Sequence, residues 1–221
     1  MLRTLPLLLL TGQLLACAGP GRPPVLETAL PAAQADTCDG PDVDIHCCFL
    51  GAPAGLSETV AIAEEREPGP RIQLTGRIVD AANGAPLPGV LLYVFHTDAT
   101  GHYTKRGDEQ GVQRWQGHLH GWLRTGADGR YAVRTIRPAP YPDGSMPAHL
   151  HAALQLPDGR ACWVNDFVFA DDPMVTDGYL TGLNNPGNPK DRDNGVVRLT
   201  EQEDMHIGAR DIVVDRNAVV H

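Results

Sequence analysis

Residues 71–96 of the chain read RIQLTGRIVDAANGAPLPGVLLYVFH. Between Arg71 and Asp80 the apolar side chains largely occupy every second position, and this period of two predicts a strand with one buried face. The Asn83-Gly84 pair that follows predicts a turn. The run from Val90 to His96 is apolar on both faces, which is typical of a central strand in a sandwich.

The same pattern continues toward the C-terminus. Two further pairs of short strands are each separated by an Asp-Gly turn: 121–124 and 130–136 around Asp128-Gly129, and 149–156 and 162–169 around Asp158-Gly159. We interpret each pair as a hairpin. With 24 Gly and 19 Pro to supply turns, residues 71–221 are predicted to form one all-β domain, an antiparallel β-sandwich. The only stretch predicted as helix is 56–65.

The N-terminus has the features of an export signal. Arg3 precedes a short apolar run, and Leu14-Leu15-Ala16-Cys17 resembles a bacterial lipobox. We therefore predict a signal peptide over 1–16, a lipid on Cys17 that anchors an exported protein to a membrane, and a flexible Gly/Pro-rich tether over 17–36. The alternative is an ordinary signal peptide cleaved nearby.

Export places the other cysteines in an oxidising compartment. Cys38, Cys47, Cys48 and Cys162 are therefore disulfide candidates. Adjacent Cys47 and Cys48 do not pair easily with each other, so we expect one to bond Cys38 and the other to reach Cys162. A structural zinc site is disfavoured because the chain lacks a CxxC pair. Residues 37–70 are interpreted as a cysteine-containing extension before the sandwich.

Net charge limits the class of partner. The chain carries −9 at neutral pH, and an acidic surface repels the phosphates of nucleic acid. Nucleic acid is therefore not expected as a ligand.

The sequence pattern that best indicates a metal site is His149-Leu150-His151. Alternate residues of a strand point to the same face, so the two imidazoles can bind one metal ion while Leu150 faces the core. A lone His-x-His is also common as a pair of hydrogen-bonded histidines. The surrounding sequence has to decide between these interpretations.

From Leu74 to Pro173 the chain resembles the catalytic domain of the intradiol ring-cleavage dioxygenases of the protocatechuate and catechol type. The matching pieces occur in the family's order: Leu74–Ile78, Pro88–Val90, Thr97–Tyr103, Gly121–Thr125, Gly129–Tyr131, Thr135–Pro142 and Pro147–His151. The order of tyrosine, tyrosine and His-x-His within these surroundings is far more specific than any single piece.

The resemblance implies a ferric ion, Fe(III), bound by Tyr103, Tyr141, His149 and His151. Two phenolates suit a hard trivalent ion better than neutral ligands do. The implied substrates are a small aromatic diol of the catechol type and O₂, and the implied product is a muconate-type diacid. Tyr141 is also the implied catalytic residue, because in the family the second tyrosine leaves the metal and takes a proton from the substrate. Tyr103 is expected to stay bound.

Two positions depart from the family. Met146 stands where relatives carry an arginine near the bound catechol, and Asp166 stands where they carry a glutamine. Both are candidates for residues that surround the metal ligands. Because no basic residue near Met146 could pair with a carboxylate, we expect an open site that prefers larger or uncharged catechols.

Two non-catalytic hypotheses remain. A second pair, His118-Leu119-His120, could join His149 and His151 in a four-histidine copper or zinc site of a metal-binding lipoprotein. Alternatively, the sandwich could bind aromatic compounds without cleaving them. A loop is also predicted from Asn184 to Asp193.

Overall fold

The computed structural model describes residues 37–183, 195–217 and 219. The predicted signal peptide, Cys17, the tether over 17–36 and the loop from Asn184 to Asp193 lie outside the described residues. Among the helices that are described, none has the length and apolar character needed to cross a membrane.

Strands dominate the described residues. In chain order they are β1 (Thr59–Ala61), β2 (Arg71–Asp80), β3 (Leu91–His96), β4 (His120–Arg124), β5 (Arg130–Ile136), β6 (His149–Gln155), β7 (Ala161–Trp163), β8 (Phe167–Phe169), β9 (Val196–Val197), β10 (Thr200–Gln202), β11 (Met205–Ala209) and β12 (Ile212–Val214). The helices are a 3-10 helix (Ile45–Phe49), α1 (Gln113–Gln116) and α2 (Asp177–Leu183).

The strands form two six-stranded sheets. The first sheet has the order β1-β5-β2-β11-β10, with β12 also paired to β2, and the second has the order β4-β3-β6-β8-β9, with β7 also paired to β6. The predicted β-sandwich is confirmed, but both sheets are mixed. Strand β5 is parallel to β1, β2 is parallel to β11 and β12, and β8 is parallel to β9.

The two strands predicted from 71–96 are confirmed. Ile72, Leu74 and Ile78 of β2 are buried while most of the residues between them are not. Every residue of β3 is buried. This strand lies between β4 and β6, so it is central in its sheet, as its two apolar faces predicted.

One of the two predicted hairpins is wrong. Strands β4 and β5 flank the Asp128-Gly129 turn, yet β4 pairs with β3 in the second sheet and β5 pairs with β2 in the first. The turn therefore crosses between the sheets. The other hairpin is confirmed, with β6 antiparallel to both β7 and β8.

The predicted helix over 56–65 is also wrong. This stretch contains the short strand β1, which runs parallel to β5 at the edge of the first sheet. Its β-branched residues Val60 and Ile62 pack against the inter-sheet core. Branched side chains favour an extended backbone, and here tertiary packing reinforces that preference.

The second sheet is covered on both faces. Its inner face packs against the first sheet through residues such as Leu92, Val94 and Leu150. Its outer face carries Tyr93 and Phe95, which pack against Cys48 and Phe49 of the N-terminal extension. The extension therefore completes a second apolar cluster, and this is why β3 is apolar on both sides.

The disulfide prediction holds for one pair only. Cys38 and Cys47 are bonded, with Cα atoms 5.5 Å apart. The expected bond between Cys48 and Cys162 is wrong, and both residues are buried thiols. Cys162 belongs to the inter-sheet core, whereas Cys48 belongs to the cluster on the outer face. The second sheet separates the two sulfur atoms.

A buried histidine links the sheets. His96 of β3 donates from Nδ1 to the Thr97 carbonyl oxygen at 2.7 Å, and its Nε2 accepts from the Thr135 hydroxyl of β5 at 2.7 Å. Burial lowers the pKa of His96 to about 4. The imidazole is therefore neutral at physiological pH, as these two hydrogen bonds require.

Candidate metal centre

Four side chains predicted as metal ligands meet at one end of the second sheet. His149 and His151 lie on β6, where their alternate positions place both rings on the outer face. Tyr103 follows β3, and Tyr141 follows β5 of the opposite sheet. The site thus combines residues that follow strands of both sheets, and two of its four residues lie on the single strand β6.

The loops that carry the tyrosines are bonded to each other. Thr97 Oγ1 donates to the Ala139 carbonyl oxygen at 3.1 Å, and the Ala139 amide donates to the Asp98 carbonyl oxygen at 3.1 Å. Gly101 has a φ of 83°, and a Cβ at this position would lie 2.3 Å from the Pro140 carbonyl oxygen. Only glycine allows this approach. The turn before Tyr103 therefore fits closely against the loop before Tyr141.

The four donor atoms form a chain of short contacts that centres on His151 and the two tyrosines. The Tyr103 and Tyr141 hydroxyl oxygens are 2.7 Å apart, and the Nε2 atoms of His149 and His151 are 2.9 Å apart. His151 Nε2 is 3.0 Å from the Tyr103 hydroxyl and 3.4 Å from that of Tyr141. Ligands about 2.0 Å from a shared ion are separated by about 2.8 to 3.4 Å. The spacing therefore suits a first coordination shell.

Both imidazoles are fixed so that Nε2 faces the centre. His149 Nδ1 donates to the Pro147 carbonyl oxygen at 2.6 Å, and His151 Nδ1 donates to Asp166 Oδ1 at 2.8 Å. Neither partner can donate in return, so in the neutral rings each Nε2 presents a lone pair. Burial and the adjacent His151 ring lower the pKa of His149. Two lone pairs facing each other at 2.9 Å repel unless a proton or a metal ion lies between or beside them, so the arrangement suits a bound cation.

The tyrosines also fit a cation. Burial raises the pKa of Tyr103 far above its usual range, and the neighbouring Tyr141 hydroxyl raises it further. Burial likewise raises the pKa of Tyr141. Neither phenol ionises at neutral pH without a strong local positive charge. Two phenol oxygens beside two imidazole nitrogens form a donor set that suits a ferric ion.

Asp166 lies beside this set. His149, His151 and Asp166 bring donor atoms within 4.8 Å of one another, and two histidines with one carboxylate can also bind iron. Here, however, the carboxylate accepts the hydrogen bond from His151 Nδ1, on the side of the ring away from Nε2. Asp166 is therefore placed to orient His151 and to increase its basicity.

Met146 contributes through its backbone. Its carbonyl oxygen accepts from the Tyr141 amide at 3.2 Å, and the Gly144 amide donates to the Tyr141 carbonyl oxygen at 2.9 Å. These two bonds close a tight turn that holds Tyr141. The half-buried Met146 side chain brings no charge to this turn.

The four-histidine hypothesis is wrong. His118 is bonded to Glu67 at 3.0 Å and to the Thr104 carbonyl oxygen at 2.7 Å, and His120 is bonded to the Gly117 carbonyl oxygen at 2.8 Å. Among the described residues, the only cluster of His, Cys, Asp or Glu with metal-binding spacing contains His149, His151 and Asp166. The second His-x-His has a structural role.

A cavity of about 390 Å³ opens beside two of the four ligand residues, Tyr103 and His151. Tyr103, His151 and Asp166 line one side of it. Its other lining residues are largely apolar or aromatic: Pro41, Val43, Cys48, Phe95, Val112, Trp115, Gln116, Trp163 and Val164. No local sequence pattern predicted this group, although Trp115 and Trp163 are large side chains that remain 48% and 38% exposed.

Tyr179 of α2 is a further residue without a signal in the sequence. Its hydroxyl is buried without a hydrogen-bond partner among the described residues. Burial, followed by the negative charges of Asp166 and Asp172, raises the pKa of Tyr179 to about 12. Its hydroxyl is therefore neutral.

Comparisons with known proteins agree with this geometry. A family model described as "Dioxygenase" matches residues 49–215. The chain is 32% identical over 113 residues to the protocatechuate 3,4-dioxygenase beta chain of Burkholderia cepacia, covering 48% of each chain. It is 30% identical over 163 residues to hydroxyquinol 1,2-dioxygenase of a Rhizobium strain, covering 59% of this chain and 54% of the relative. The chain thus spans about half the length of the curated relatives it matches.

Solved structures show the same fold. The dioxygenase domain of a carbohydrate-binding fusion protein from Streptomyces sp. SirexAA-E superposes with a TM-score of 0.53 at 24% identity, covering 70% of this chain and 86% of that one. Catechol 1,2-dioxygenase from Acinetobacter sp. ADP1 superposes with a TM-score of 0.52 at 22% identity, covering 76% of this chain and 61% of that one.

Proposed function

Since the chain belongs to the intradiol dioxygenase family, we propose that it cleaves a catechol-type diol with O₂. In this reaction the bond between the two hydroxyl-bearing carbons breaks, and both oxygen atoms enter a muconate-type diacid. The observation that carries the proposal is the convergence of two phenol oxygens and two imidazole nitrogens within 2.7 to 3.4 Å.

The proposed cofactor is one ferric ion held by Tyr103, Tyr141, His149 and His151. When bound, ferric iron supplies the Lewis acidity that favours the doubly deprotonated form of a catechol. Tyr141 is the better placed of the two tyrosines to accept a substrate proton. Its hydroxyl is less deeply buried than that of Tyr103 and lies farther from His151 Nε2, at 3.4 Å against 3.0 Å.

Purification of the iron-loaded protein tests this proposal. We expect about one iron per chain, a broad visible band from the bond between tyrosinate and iron, and O₂ uptake when catechol is added. Tyr103→Phe should weaken or shift the band. Tyr131→Phe is the matched control, because the Tyr131 hydroxyl donates to the Arg210 carbonyl oxygen at 2.7 Å, outside the site.

Two results would contradict the proposal at different points. An unchanged visible band in Tyr103→Phe would remove Tyr103 from the ligand set. An iron-loaded sample that binds catechols without taking up O₂ would support a non-catalytic binding protein instead.

We propose further that the preferred substrates are uncharged. Among the described residues that line the cavity, none is a lysine or an arginine, and Asp166 places a carboxylate there. A substrate carboxylate would lose its hydration without gaining a cationic partner. A higher kcat/KM for protocatechuate than for catechol would overturn this proposal.

We propose that the protein is exported and anchored to a membrane through a lipid on Cys17. The Cys38–Cys47 disulfide supports export, since disulfides persist mainly in oxidising compartments. Cys17→Ser should release the protein from the membrane fraction. Recovery of the wild-type protein in the soluble fraction with another N-terminal residue would refute the anchor.

A further inference from the structure

We infer that the loop closed by the Cys38–Cys47 disulfide, residues 38–47 and here named the disulfide loop, selects the substrate. It forms part of the wall of the cavity that Tyr103 and His151 also line, and it favours an uncharged catechol with a bulky aromatic or apolar substituent. The inference rests on the proposed function, because it assigns the catechol ring to the end of the cavity where the donor atoms lie.

The position of the loop is the first argument. Pro41 and Val43 of the disulfide loop line the same cavity as Tyr103 and His151. A cavity of about 150 Å³ is enough for benzene, whereas this one measures about 390 Å³. A single catechol ring at the iron ligands therefore leaves room for a second group of similar size against the loop.

The chemistry of the wall is the second argument. Trp115 stands beside Pro41 and Val43 and is 48% exposed. The polar residue nearby, Gln116, is already engaged, since its Oε1 accepts from the Tyr93 hydroxyl at 2.7 Å. The far end of the cavity thus offers apolar and aromatic contacts, which a ring substituent can fill.

Asp39 couples the loop to this wall. One carboxylate oxygen accepts from Arg114 at 2.7 Å and the other accepts from the Trp115 indole nitrogen at 3.1 Å. The disulfide itself packs against Val112, one residue before α1. These contacts join the disulfide loop to α1 and fix the Trp115 indole beside the cavity.

The base of the loop is held separately. Cys48 and Phe49 pack beneath the second sheet with Tyr93 and Phe95, and the Trp122 indole donates to the Cys48 carbonyl oxygen at 2.8 Å. Opening the disulfide should therefore release the part of the loop around Pro41 while this apolar cluster stays in place. Removal of the disulfide by the double variant Cys38→Ser/Cys47→Ser therefore becomes a test that leaves the metal ligands and the ferric state untouched.

The test measures binding by calorimetry without O₂, using the iron-loaded full chain with catechol and with 4-phenylcatechol as probes. Trp115→Ala should reduce the preference for 4-phenylcatechol, expressed as the ratio of the two Kd values, about tenfold. Asp39→Asn, and the double variant Cys38→Ser/Cys47→Ser, should lower the same ratio by a smaller factor. Asp128→Asn is the matched control, because Asp128 forms a similar exposed pair with Arg130 but does not line the cavity.

The outcomes separate this inference from the proposed function. An unchanged ratio in a folded Trp115→Ala protein, or an unchanged ratio in a folded Cys38→Ser/Cys47→Ser protein, would overturn the inference. If the wild type took up no O₂ with either catechol, the proposed reaction would fail. Tryptophan quenching by 4-phenylcatechol in the metal-free protein would then still report contact with the wall, and its absence would overturn the inference as well.

Discussion

The two faces of β6 behave as different regions of the molecule. On the inner face, Leu150, Ala152 and Leu154 are fully buried in the inter-sheet core. On the outer face, His149 and His151 present nitrogen atoms to the proposed metal. Because a strand alternates its side chains, one short segment packs the core on one face and presents the proposed metal ligands on the other. Substitutions at neighbouring positions should therefore have different consequences.

The largest effect is expected on the outer face. His149→Ala removes one of four donor atoms, so iron binding and O₂ uptake should fall to near background. The free energy of unfolding, measured by urea titration, should decrease less than in the core variant Leu150→Ala. His206→Ala is the control, since this histidine lies on β11 of the first sheet. Full activity in His149→Ala, with iron still bound, would break the proposed division between the faces.

The reverse effect is expected one residue away. Leu150→Ala empties part of the core and should lower the free energy of unfolding by about 2 to 5 kcal/mol. Iron content of the folded fraction should stay close to that of the wild type, because Leu150 points away from the donor atoms. Urea titration followed by circular dichroism measures the first quantity, and metal analysis the second. A loss of iron without a loss of stability would refute this prediction.

His96 is a titratable side chain on the inner, buried face of the second sheet, where it pairs with Leu150. Burial lowers its pKa from 6.5 to about 4, so between these values the unfolded chain binds more protons than the folded one. Stability must therefore fall as the pH decreases through this window. We expect protonation of His96 in the unfolded chain to lower the free energy of unfolding by about 2 kcal/mol when the pH falls from 7.5 to 5. His96→Gln should show a smaller pH dependence in urea titrations, and an equal dependence would contradict the assignment.

The smallest effect concerns the support of a ligand. Asp166→Asn removes the charge that the carboxylate places beside His151 Nδ1, and loss of such a partner typically weakens metal affinity by about 10 to 100-fold. Competition with a chelator measures this change. Asp158→Asn, at an exposed turn, is the control. Equal affinity in Asp166→Asn would mean that backbone packing alone orients the ring.

Local patterns predicted the strands well because strand periodicity is a local property. The alternation in β2 and the two apolar faces of β3 could both be deduced from adjacent residues. The Asp128-Gly129 turn shows the limit. An Asp-Gly pair reverses the chain, but whether the next strand joins the same sheet depends on partners such as β2, which lies about fifty residues earlier.

The candidate site, like the fold, was predicted from the sequence only in part. The order of two tyrosines and a His-x-His predicted the four residues that the structure brings together. The cavity wall could not be predicted, because it combines Pro41 and Val43 with Trp115, which are far apart in the sequence. The expected Cys48–Cys162 bond failed for a related reason, since sequence distance does not tell which face of a sheet a sulfur occupies.

Strand β2 has a consequence for the timing of folding. It pairs with β11 and β12, and Arg77 and Asp211, bonded across that junction, are 134 residues apart. When the chain emerges N-terminus first, β2 lacks its partner strands β11 and β12 until nearly the whole domain has emerged. Such non-local pairing is slow, on a scale of about milliseconds to seconds, and an unfilled strand edge invites pairing with other chains. The period before β11 arrives is therefore when this domain is most exposed to aggregation.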